Sequence, residues 1–411
     1  MMQSPFAIPV ETRLAASGAS GKNKHRDTKT KTKTKKDLAA FRRALLGWYD
    51  QNRRDLPWRK THDPYRIWLS EIMLQQTRVA AVLEHYRIFL ERFPDIEALA
   101  ASSEDAVLAA WSGLGYYRRA RRLHQCAKAI MQQHTGHFPQ RAEELQTLPG
   151  IGRYTAAAIA SIAFSQPVAV VDGNVERVLR RLVNLSASGT SATGTKMTAP
   201  DLTHIDLTQA QIWQQAQTLL NISRPGDFNQ AMMELGATVC LPREPRCPVC
   251  PVQKWCGLRQ SGQGTSPSIA CATIMEHRAS SPAKAPTRPA IRRIKKNIWC
   301  VLNQHNGGIF FMQRPRKSSL MPGMWELPLS AVRPHPLPDS VRWRTFRHSI
   351  TITDYTVHVL RNIVPRNIPM RNESLPNAHF AGKGKWIAIA RISQFPITGL
   401  TRKILKADGI I

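Results

Sequence analysis

Acidic residues are scarce in this sequence of 411 residues. It has 28 Asp and Glu against 58 Lys and Arg, which gives a formal net charge of +30 and an isoelectric point near 10.6. A surplus of positive charge this large predicts a polyanionic partner, nucleic acid before membrane. Charge alone leaves a second interpretation open, a basic surface without such a partner.

Long apolar runs are also lacking. No uninterrupted apolar stretch is long enough to cross a bilayer, and no apolar segment follows the positive charges near the N-terminus as a secretory signal requires. With 42% hydrophobic residues and no lipid-anchoring motif, the sequence predicts a globular monomer without membrane contact. We expect it in the cytoplasm, with the nucleoid, if the source is bacterial and in the nucleus if it is eukaryotic.

Composition and periodicity divide the chain into four stretches. Residues 1–36 end in a run of Lys and Thr without apolar residues and are predicted to form a disordered basic arm. Residues 37–257 repeat apolar side chains every three or four positions, which indicates helices. Residues 258–290 are rich in Ser, Pro and Gly and are expected to be a linker. Alternating apolar residues predict a smaller α+β domain at 291–411.

Some elements within these stretches can be placed more closely. The apolar pattern predicts one helix over 67–83, and the polar interval 186–206 is expected to be a surface loop. In the α+β domain we expect strands at Ile298–Asn303, Ile309–Gln313, Ser349–Thr353, Tyr355–Leu360 and Trp386–Ala390, and a closing basic helix at Leu400–Lys406.

Seven cysteines are present, an odd number that argues against a disulfide framework. Four of them follow the spacing C-x6-C-x2-C-x5-C and lie in one short segment: Cys240, Cys247, Cys250 and Cys256. Four thiolates can surround either a zinc ion or an iron–sulfur cluster, and the spacing by itself slightly favours zinc. The other three, Cys126, Cys271 and Cys300, are expected to be ordinary buried or linker cysteines.

A Pro- and Gly-containing turn at 148–152 precedes an Ala-rich helix. Gly150 and Gly152 permit positive φ and leave backbone N–H groups uncovered beside a helix N-terminus, with Arg153 next to them. Such a turn can hold a phosphate group. It can equally do no more than connect two helices.

Two carboxyl groups are candidates for chemistry. Glu71 has Ile67 and Leu74 on the same helical face, where an apolar environment raises the pKa of a carboxyl and lets it donate a proton. The alternative is a Glu at the edge of that face with its head group in solvent. Asp172 follows an apolar run and precedes a basic helix. It can cap that helix and also carry a functional negative charge.

Four motifs occur in order along the chain: SEIMLQQT at 70–77, LGYYRRAR at 114–121, LPGIGRY at 148–154 and VDGNVERV at 171–178. With the four cysteines, they make the sequence from about residue 50 to residue 256 resemble MutY-type adenine DNA glycosylases of the endonuclease III-related helix–hairpin–helix superfamily. The resemblance implies an all-α glycosylase domain with a four-Cys iron–sulfur loop, followed by an α+β MutT-like domain. It also implies that the cysteines hold a [4Fe–4S] cluster rather than zinc.

The resemblance assigns roles to particular residues. Adenine leaves a sugar readily only as a neutral base, so the reaction needs an acid for N7 and a negative charge near the developing oxocarbenium ion. The matching positions make Glu71 the acid and Asp172 the stabilising carboxylate or nucleophile, with Tyr154 and Asn174 assisting. Tyr154 also stands where bifunctional lyases of the superfamily place a Lys, which favours a monofunctional glycosylase.

The resemblance further predicts contacts to duplex DNA that contains an adenine mispair. Leu74, Gln76 and Tyr116 match the family's wedge and probe positions, which fill the gap when adenine is extruded, and Arg54 matches a contact near the adenine pocket. The other expected contact residues are Thr77, Gly150, Gly152, Arg153 and, in the C-terminal domain, Thr351. By pattern alone Tyr116 reads equally well as a core aromatic. The basic cluster Arg118, Arg119, Arg121 and Arg122 is expected to face phosphates or simply solvent.

The implied substrate is adenine opposite 8-oxoguanine or guanine. The MutT-like domain lacks the REUxEE metal-binding helix of Nudix hydrolases, so no pyrophosphatase activity is expected. Two alternatives stay open, an endonuclease III-like glycosylase for pyrimidine lesions and a non-catalytic DNA-binding iron–sulfur protein.

Overall fold

The computed structural model describes residues 24–183, 207–260, 293–331, 343–350, 352–361 and 383–411. The insertion expected at 186–206, most of the expected linker, Cys271 and Thr351 lie outside these residues. The described residues form two compact units. The first unit comprises the described residues within Met1–Glu71 and Phe138–Thr287. The second comprises those within Ile72–His137 and Arg288–Ile411.

Helices make up almost all of the regular structure before residue 261. Their bounds are α1 Lys24–Asn52, α2 Pro64–Leu74, α3 Val79–Arg92, α4 Ile96–Ala101, α5 Glu104–Ala110, α6 Arg118–His134, α7 Ala142–Leu145, α8 Arg153–Ala163, α9 Gly173–Val183, α10 Gln209–Leu219, α11 Pro225–Thr238 and α12 Gly257–Gln260. No helix in the described part of the chain combines the length and hydropathy needed to cross a membrane.

The core of the first unit lies between α1, α9, α10 and α11. Each helix contributes one apolar face, as the three- and four-residue spacing predicts. The aromatic side chains buried in this core are Phe41, Tyr49, Phe228 and Trp255. Trp255 belongs to the cysteine segment, which therefore packs against the helical core.

Helix α8 is buried on nearly every side, from Thr155 to Ile162. Its small side chains let it pack against Ile67 of α2 and Val170 in the extended segment before α9. This arrangement brings α2, α8 and the start of α9 together in one unit, and these three elements carry Glu71, Tyr154 and Asp172.

The second unit contains α3 to α6 and the C-terminal strands. The strands are β1 Ile294–Leu302, β2 Gln304–His305, β3 Gly308–Gln313, β4 Trp325–Glu326, β5 Leu329–Ser330, β6 Trp343–Ile350, β7 Thr353–Arg361 and β8 Lys383–Ala388, followed by α13 Gly399–Ala407. One sheet has the order β5-β1-β7-β6, with β1 parallel to β7 and antiparallel to β5. The other joins β2, β3 and β4, and β8 pairs with β3. Leu400, Ile404 and Leu405 of α13 pack into the apolar core that both sheets share.

The helices of 72–137 group with the C-terminal residues, whereas the sequence placed them in one domain with the rest of 37–257. The contacts responsible are specific. The Ser112 hydroxyl donates to the Ile397 carbonyl over 3.0 Å, and Arg402 Nε donates to the same hydroxyl over 3.2 Å. The domain boundaries expected from composition, after residues 36, 257 and 290, remain a prediction.

Three predicted elements differ from the structure. Helix α1 begins at Lys24, inside the arm expected to be disordered, because Lys has a good helix propensity and no Pro or Gly interrupts the run. The single helix predicted over 67–83 was wrong, since α2 ends at Leu74 and α3 begins only at Val79. The strand predicted at Ser349–Thr353 was also wrong. Ser349 and Ile350 end β6, and Thr353 begins β7.

Candidate active site

Glu71 is buried, with 7% of its surface exposed, so the solvent-facing alternative is wrong. The Tyr154 hydroxyl donates to its Oε2 over 2.6 Å. Burial raises the pKa of Glu71 to about 7. The hydrogen bond from Tyr154 and the charge of Arg59 oppose the rise, and the charge of Asp172 adds to it. A carboxyl with this pKa is about half protonated at neutral pH, which is what a proton donor requires.

Tyr154 is the hydroxyl partner of this pair. Its pKa lies well above the ordinary value, because burial and the charges of Glu71 and Asp172 all disfavour a phenolate. The hydroxyl also lies 3.5 Å from the sulfur of Met233. Tyr154 therefore remains a donor throughout the neutral range and fixes one oxygen of Glu71.

Asp172 stands immediately before α9 and caps it. Its Oδ1 accepts from the Val175 amide at 2.7 Å, and its Oδ2 accepts from the Asn174 side-chain amide at 3.0 Å. The predicted capping role is thus confirmed. The positive end of the helix dipole also interacts favourably with a negative charge at this position.

Asn174 is itself held in place by neighbours. Arg177 donates to its Oδ1 over 2.9 Å and to the Gly236 carbonyl over 2.7 Å. A Cβ added at Gly236 would come within 2.6 Å of the Asn174 Cβ, so α9 and α11 can approach this closely only with glycine there. The same arginine donates to the Cys240 carbonyl over 2.9 Å.

The extended segment that leads into Asp172 is anchored by a buried amide. Asn229 of α11 accepts from the Val170 amide at 3.1 Å and donates to the Val168 carbonyl at 2.9 Å. These bonds satisfy backbone groups that would otherwise be buried without partners. They also fix the direction in which the chain enters α9.

A buried carboxylate with two arginines lies in the same unit. The Glu234 side chain is fully buried and accepts from Arg54 Nε and Nη2, both at 2.7 Å, and from Arg59 Nη2 at 2.7 Å. Burial alone would raise the pKa of Glu234, but the bonds from the two arginines outweigh it and lower the pKa to about 2. Arg54, which the resemblance predicts to contact DNA, is thus bound to Glu234 in this structure.

Of the two glycines in the turn, only Gly150 has positive φ, and Arg153 does not extend from the turn. Gly150 has φ 81°, in the left-handed region, and Gly152 is the N-cap of α8 without a side-chain cap. Arg153, however, lies with its guanidinium 3.9 Å from the ring centroid of Trp213. In this structure its charge is stacked on an aromatic ring rather than extended from the turn.

The predicted DNA-contacting residues of the second unit lie on two loops. Gln76 and Thr77 belong to the link after α2, and Leu74 is the last residue of that helix. Tyr116 lies before α6 and is 62% exposed, which excludes the core-aromatic alternative. Gln76 and Tyr116 are non-glycine residues with positive φ, 56° and 47°. Such strain is typical of functional loops.

The basic cluster of α6 is divided between two environments. Arg118 and Arg122 are exposed, as a phosphate-facing patch requires. Arg119 and Arg121 are half-buried and bonded within the unit, Arg121 to Glu104 and to the Pro322 carbonyl. The prediction of four solvent-facing arginines was therefore wrong for these two.

The four cysteines lie in a segment with two short 3-10 turns, Cys247–Val249 and Gln253–Trp255. Burial, with smaller contributions from the charges of the other three cysteines, raises the pKa of the Cys250 thiol to about 12. Arg181, itself buried, donates to the Cys240 sulfur over 3.1 Å. Cys126 and Cys300 are buried elsewhere, as expected.

Within the described ranges, no set of three or more His, Cys, Asp or Glu side chains converges closely enough to hold a metal ion. Arg181 faces one of these thiols, and burial together with the charges of neighbouring cysteines disfavours ionisation of Cys250 and Cys256. Four half-buried thiols in one segment are the type of donor that a zinc ion or an iron–sulfur cluster binds.

The C-terminal residue predicted to contact DNA, Thr351, lies outside the described residues. The hairpin that flanks it is described. The Ser349 hydroxyl donates to Asp354 Oδ1 over 2.5 Å, and Arg293 pairs with the same carboxylate. These two bonds, with the charge of Arg293, lower the pKa of Asp354 to about 2.

Three residues of the site were missed in the sequence. Glu234 has the same signal as Glu71, a Glu among apolar helix residues, and could have been found in that way. Arg59 and Arg177 carried no signal, because their partners are distant in the sequence or are backbone carbonyls.

The fold and the paired carboxyl groups define a class. Residues 69–199 match the model of the HhH-GPD superfamily base excision DNA repair proteins. Curated adenine DNA glycosylases are similar over most of the chain. That of Rattus norvegicus is 42% identical over 335 residues, 72% of this chain and 62% of the relative. That of Schizosaccharomyces pombe is 33% identical over 334 residues, 71% of this chain and 69% of the relative.

The chain belongs to the adenine DNA glycosylase family. It spans 62% of the length of the rat relative and 58% of the human one. A solved structure of a thermostable thymine-DNA glycosylase is 28% identical and covers 56% of this chain and 99% of its own, with a TM-score of 0.48.

Proposed function

We propose that this protein is a monofunctional adenine DNA glycosylase that hydrolyses the N-glycosidic bond of adenine paired with 8-oxoguanine or guanine in duplex DNA. The observation that carries the proposal is the buried Glu71, hydrogen-bonded to Tyr154 and with a pKa of about 7. A second carboxylate, Asp172, is held on a neighbouring element of the same unit. The names of the relatives support adenine as the base.

The two carboxyl groups divide the work. Glu71 in its acid form donates a proton to N7 of adenine, so that the base leaves neutral. Asp172 keeps a negative charge for the sugar as it becomes an oxocarbenium ion. Asn174 and the Val175 amide fix the orientation of that carboxylate, since each bonds one of its oxygens.

Glu234 and Arg59 set the electrostatic background of the acid. The charge of Arg59 lowers the pKa of Glu71, and Glu234 neutralises part of that charge because it pairs with Arg59. We propose that these opposing charges keep the pKa of Glu71 near 7. Arg54, held by the same Glu234, is proposed to contact DNA from its exposed side.

We propose that Cys240, Cys247, Cys250 and Cys256 hold a [4Fe–4S] cluster. Arg181 beside Cys240 and the packing of Trp255 into the core support this assignment. When bound, such a cluster cross-links four points of a segment that otherwise has little regular structure. Arg243 and Arg246, exposed on this segment, are proposed to approach DNA phosphates.

The alternative of a pyrimidine-lesion lyase needs an amine at the position of Tyr154. Tyr154 is a buried phenol bonded to Glu71 and cannot form a Schiff base. A non-catalytic DNA-binding protein would have no use for a buried carboxyl with a raised pKa. The paired acids therefore favour the glycosylase.

Single-turnover excision separates the three functions. The full-length protein is mixed with duplexes carrying adenine opposite 8-oxoguanine, adenine opposite guanine, or an oxidised pyrimidine, and cleavage is revealed by alkali. We expect alkali-dependent breaks at adenine only. Breaks without alkali, trapped efficiently by borohydride, would indicate a lyase. Tight binding without any break would indicate the non-catalytic alternative.

A further inference from the structure

One arginine of the second unit joins the two loops that carry Gln76 and Tyr116. Arg119 lies in the first turn of α6 and is half-buried. Its Nη1 group points at three carbonyl oxygens near the end of α2, those of Ile72, Met73 and Gln75, at 2.8, 2.9 and 2.6 Å. The last carbonyls of a helix have no partner within the helix, and this guanidinium supplies one.

The other terminal nitrogen of the same side chain reaches further along both loops. Arg119 Nη2 donates to the Thr77 hydroxyl over 3.0 Å and lies 3.4 Å from the Gly115 carbonyl. The guanidinium also lies 5.5 Å from the ring centroid of Tyr116 and 5.4 Å from that of Trp111. A single planar group therefore holds both loops at once.

The two exposed residues held in this way are strained. Gln76 and Tyr116 have φ of 56° and 47°, a region that side chains with a Cβ seldom adopt. Strained conformations persist only where surrounding contacts enforce them. Arg119 bonds to Gln75 and Thr77 on either side of Gln76 and to Gly115 beside Tyr116. Trp111 adds a bond from its Nε1 to the Gly115 carbonyl over 3.1 Å.

We propose that Arg119 is a positioning residue that holds Gln76 and Tyr116 in the conformation in which they enter the duplex and fill the space of an extruded base. The inference rests on the proposed function. Enzymes that act on a base within a duplex must unstack it, and a preformed wedge lowers the barrier to that step. Arg119 acts through the loops, because its guanidinium is bonded to their carbonyl and hydroxyl groups, whereas its neighbour Arg118 is exposed.

The test uses two substrates that differ in the cost of extrusion. One is a duplex with adenine opposite 8-oxoguanine, and the other carries the same adenine as a single-nucleotide bulge, which is less well stacked. Arg119→Ala should slow single-turnover excision from the paired duplex by about 100-fold and from the bulge by less than about 10-fold. Arg119→Lys should show the same selective loss, because an ammonium group retains the charge but cannot bridge both loops.

Arg118→Ala is the matched comparison, one position away with the same change of charge. Removal of a phosphate contact should weaken binding to both substrates alike and reduce the salt dependence of binding by about one counterion. Equal losses on both substrates for Arg119→Ala would overturn the proposal, and so would recovery of normal rates in Arg119→Lys.

A second measurement reports the opening of the base stack independently of excision. A 2-aminopurine placed beside the target adenine brightens when the stack opens, whether or not the base is later removed. The wild-type protein should produce this signal and Arg119→Lys should not, although it still binds the duplex. An undiminished signal in Arg119→Lys would refute the positioning role. Normal opening without excision by the wild type would instead contradict the proposed function.

Discussion

The Tyr154 hydroxyl donates to Glu71 Oε2 over 2.6 Å, and this bond decides which oxygen of Glu71 can act as an acid. The phenol stays protonated because its pKa is raised well above the ordinary value by burial and by the neighbouring carboxyl groups. Oε2 therefore accepts, and in the acid form of Glu71 the proton lies on Oε1. The hydrogen bond from Tyr154 thus leaves Glu71 Oε1 as the atom that donates the proton.

Glu71→Gln should reduce single-turnover adenine excision by about 10²–10⁴-fold, because an amide cannot donate the proton that a carboxylic acid donates. In the wild type the rate should fall as the pH rises through about 7, the pKa of Glu71, since only the protonated form is active. The rate should be measured from pH 5 to pH 9 on adenine opposite 8-oxoguanine. A rate that rises across this range would contradict the acid role.

The raised pKa of Glu71 also predicts how stability depends on pH. Between the ordinary value of 4.5 and about 7, folded Glu71 binds a proton that the unfolded chain releases. The unfolding free energy should therefore fall as the pH rises through this window. Glu71→Gln removes the effect and should be about 3 kcal/mol more stable than the wild type at pH 8, with little difference at pH 4.5. Denaturant unfolding at both values tests this, and equal differences at the two would refute it.

Asp172 has two separable roles, and two substitutions distinguish them. Asp172→Asn retains an oxygen for the Val175 amide but loses the charge, whereas Asp172→Ala loses both. Excision should fall by about 10²–10³-fold in each variant. The unfolding free energy should fall by about 1 kcal/mol more in the alanine variant, because only that variant loses the helix cap. Equal stability of the two would show that the cap does not depend on this side chain.

The two carboxyl groups, Glu71 and Asp172, could be identified as candidates from the residues next to them in the sequence. Ile67 and Leu74 share the helical face of Glu71 and indicated that it could be buried, but the pattern left a solvent-facing position open. The apolar run before Asp172 and the helix after it predicted a cap. These are local signals within one or two turns. Local signals survive folding because the periodicity of a helix determines which side it buries.

Other parts of the site had no local signal. The break after Leu74 contains neither Gly nor Pro, so nothing in the sequence predicted it. In the structure, bonds from Arg119, more than 40 residues away, stabilise that break. Glu234 and Arg54 are likewise 180 residues apart. Interactions between such distant residues depend on the tertiary fold, which periodicity does not reveal.

Glu234 should be essential for stability and should influence the acid from a distance. Glu234→Ala leaves Arg54 and Arg59 beside an empty buried site and should cost about 3–5 kcal/mol of unfolding free energy. Glu234→Gln keeps the shape but loses the charge. The field of Arg59 then acts on Glu71 without compensation, so the descending limb of the pH–rate profile should move to lower pH.

The exposed Glu144 is a control for the Glu234 variants, since Glu144→Gln changes the net charge equally. It should leave both stability and the pH–rate profile as in the wild type. A shift of the same size in both variants would mean that the effect reflects total charge rather than the pairing of Glu234 with Arg59.

The cysteine segment makes a prediction about metal content. The purified protein should be brown and should contain iron and acid-labile sulfide in equal amounts, close to four of each per chain, as a [4Fe–4S] cluster requires. Cys250→Ser should lose most of the iron and destabilise the first unit, because Trp255 of the same segment packs into its core. Cys126→Ala, which changes a buried cysteine of the other unit, should retain the iron. Stoichiometric zinc in a colourless and fully active protein would refute the cluster.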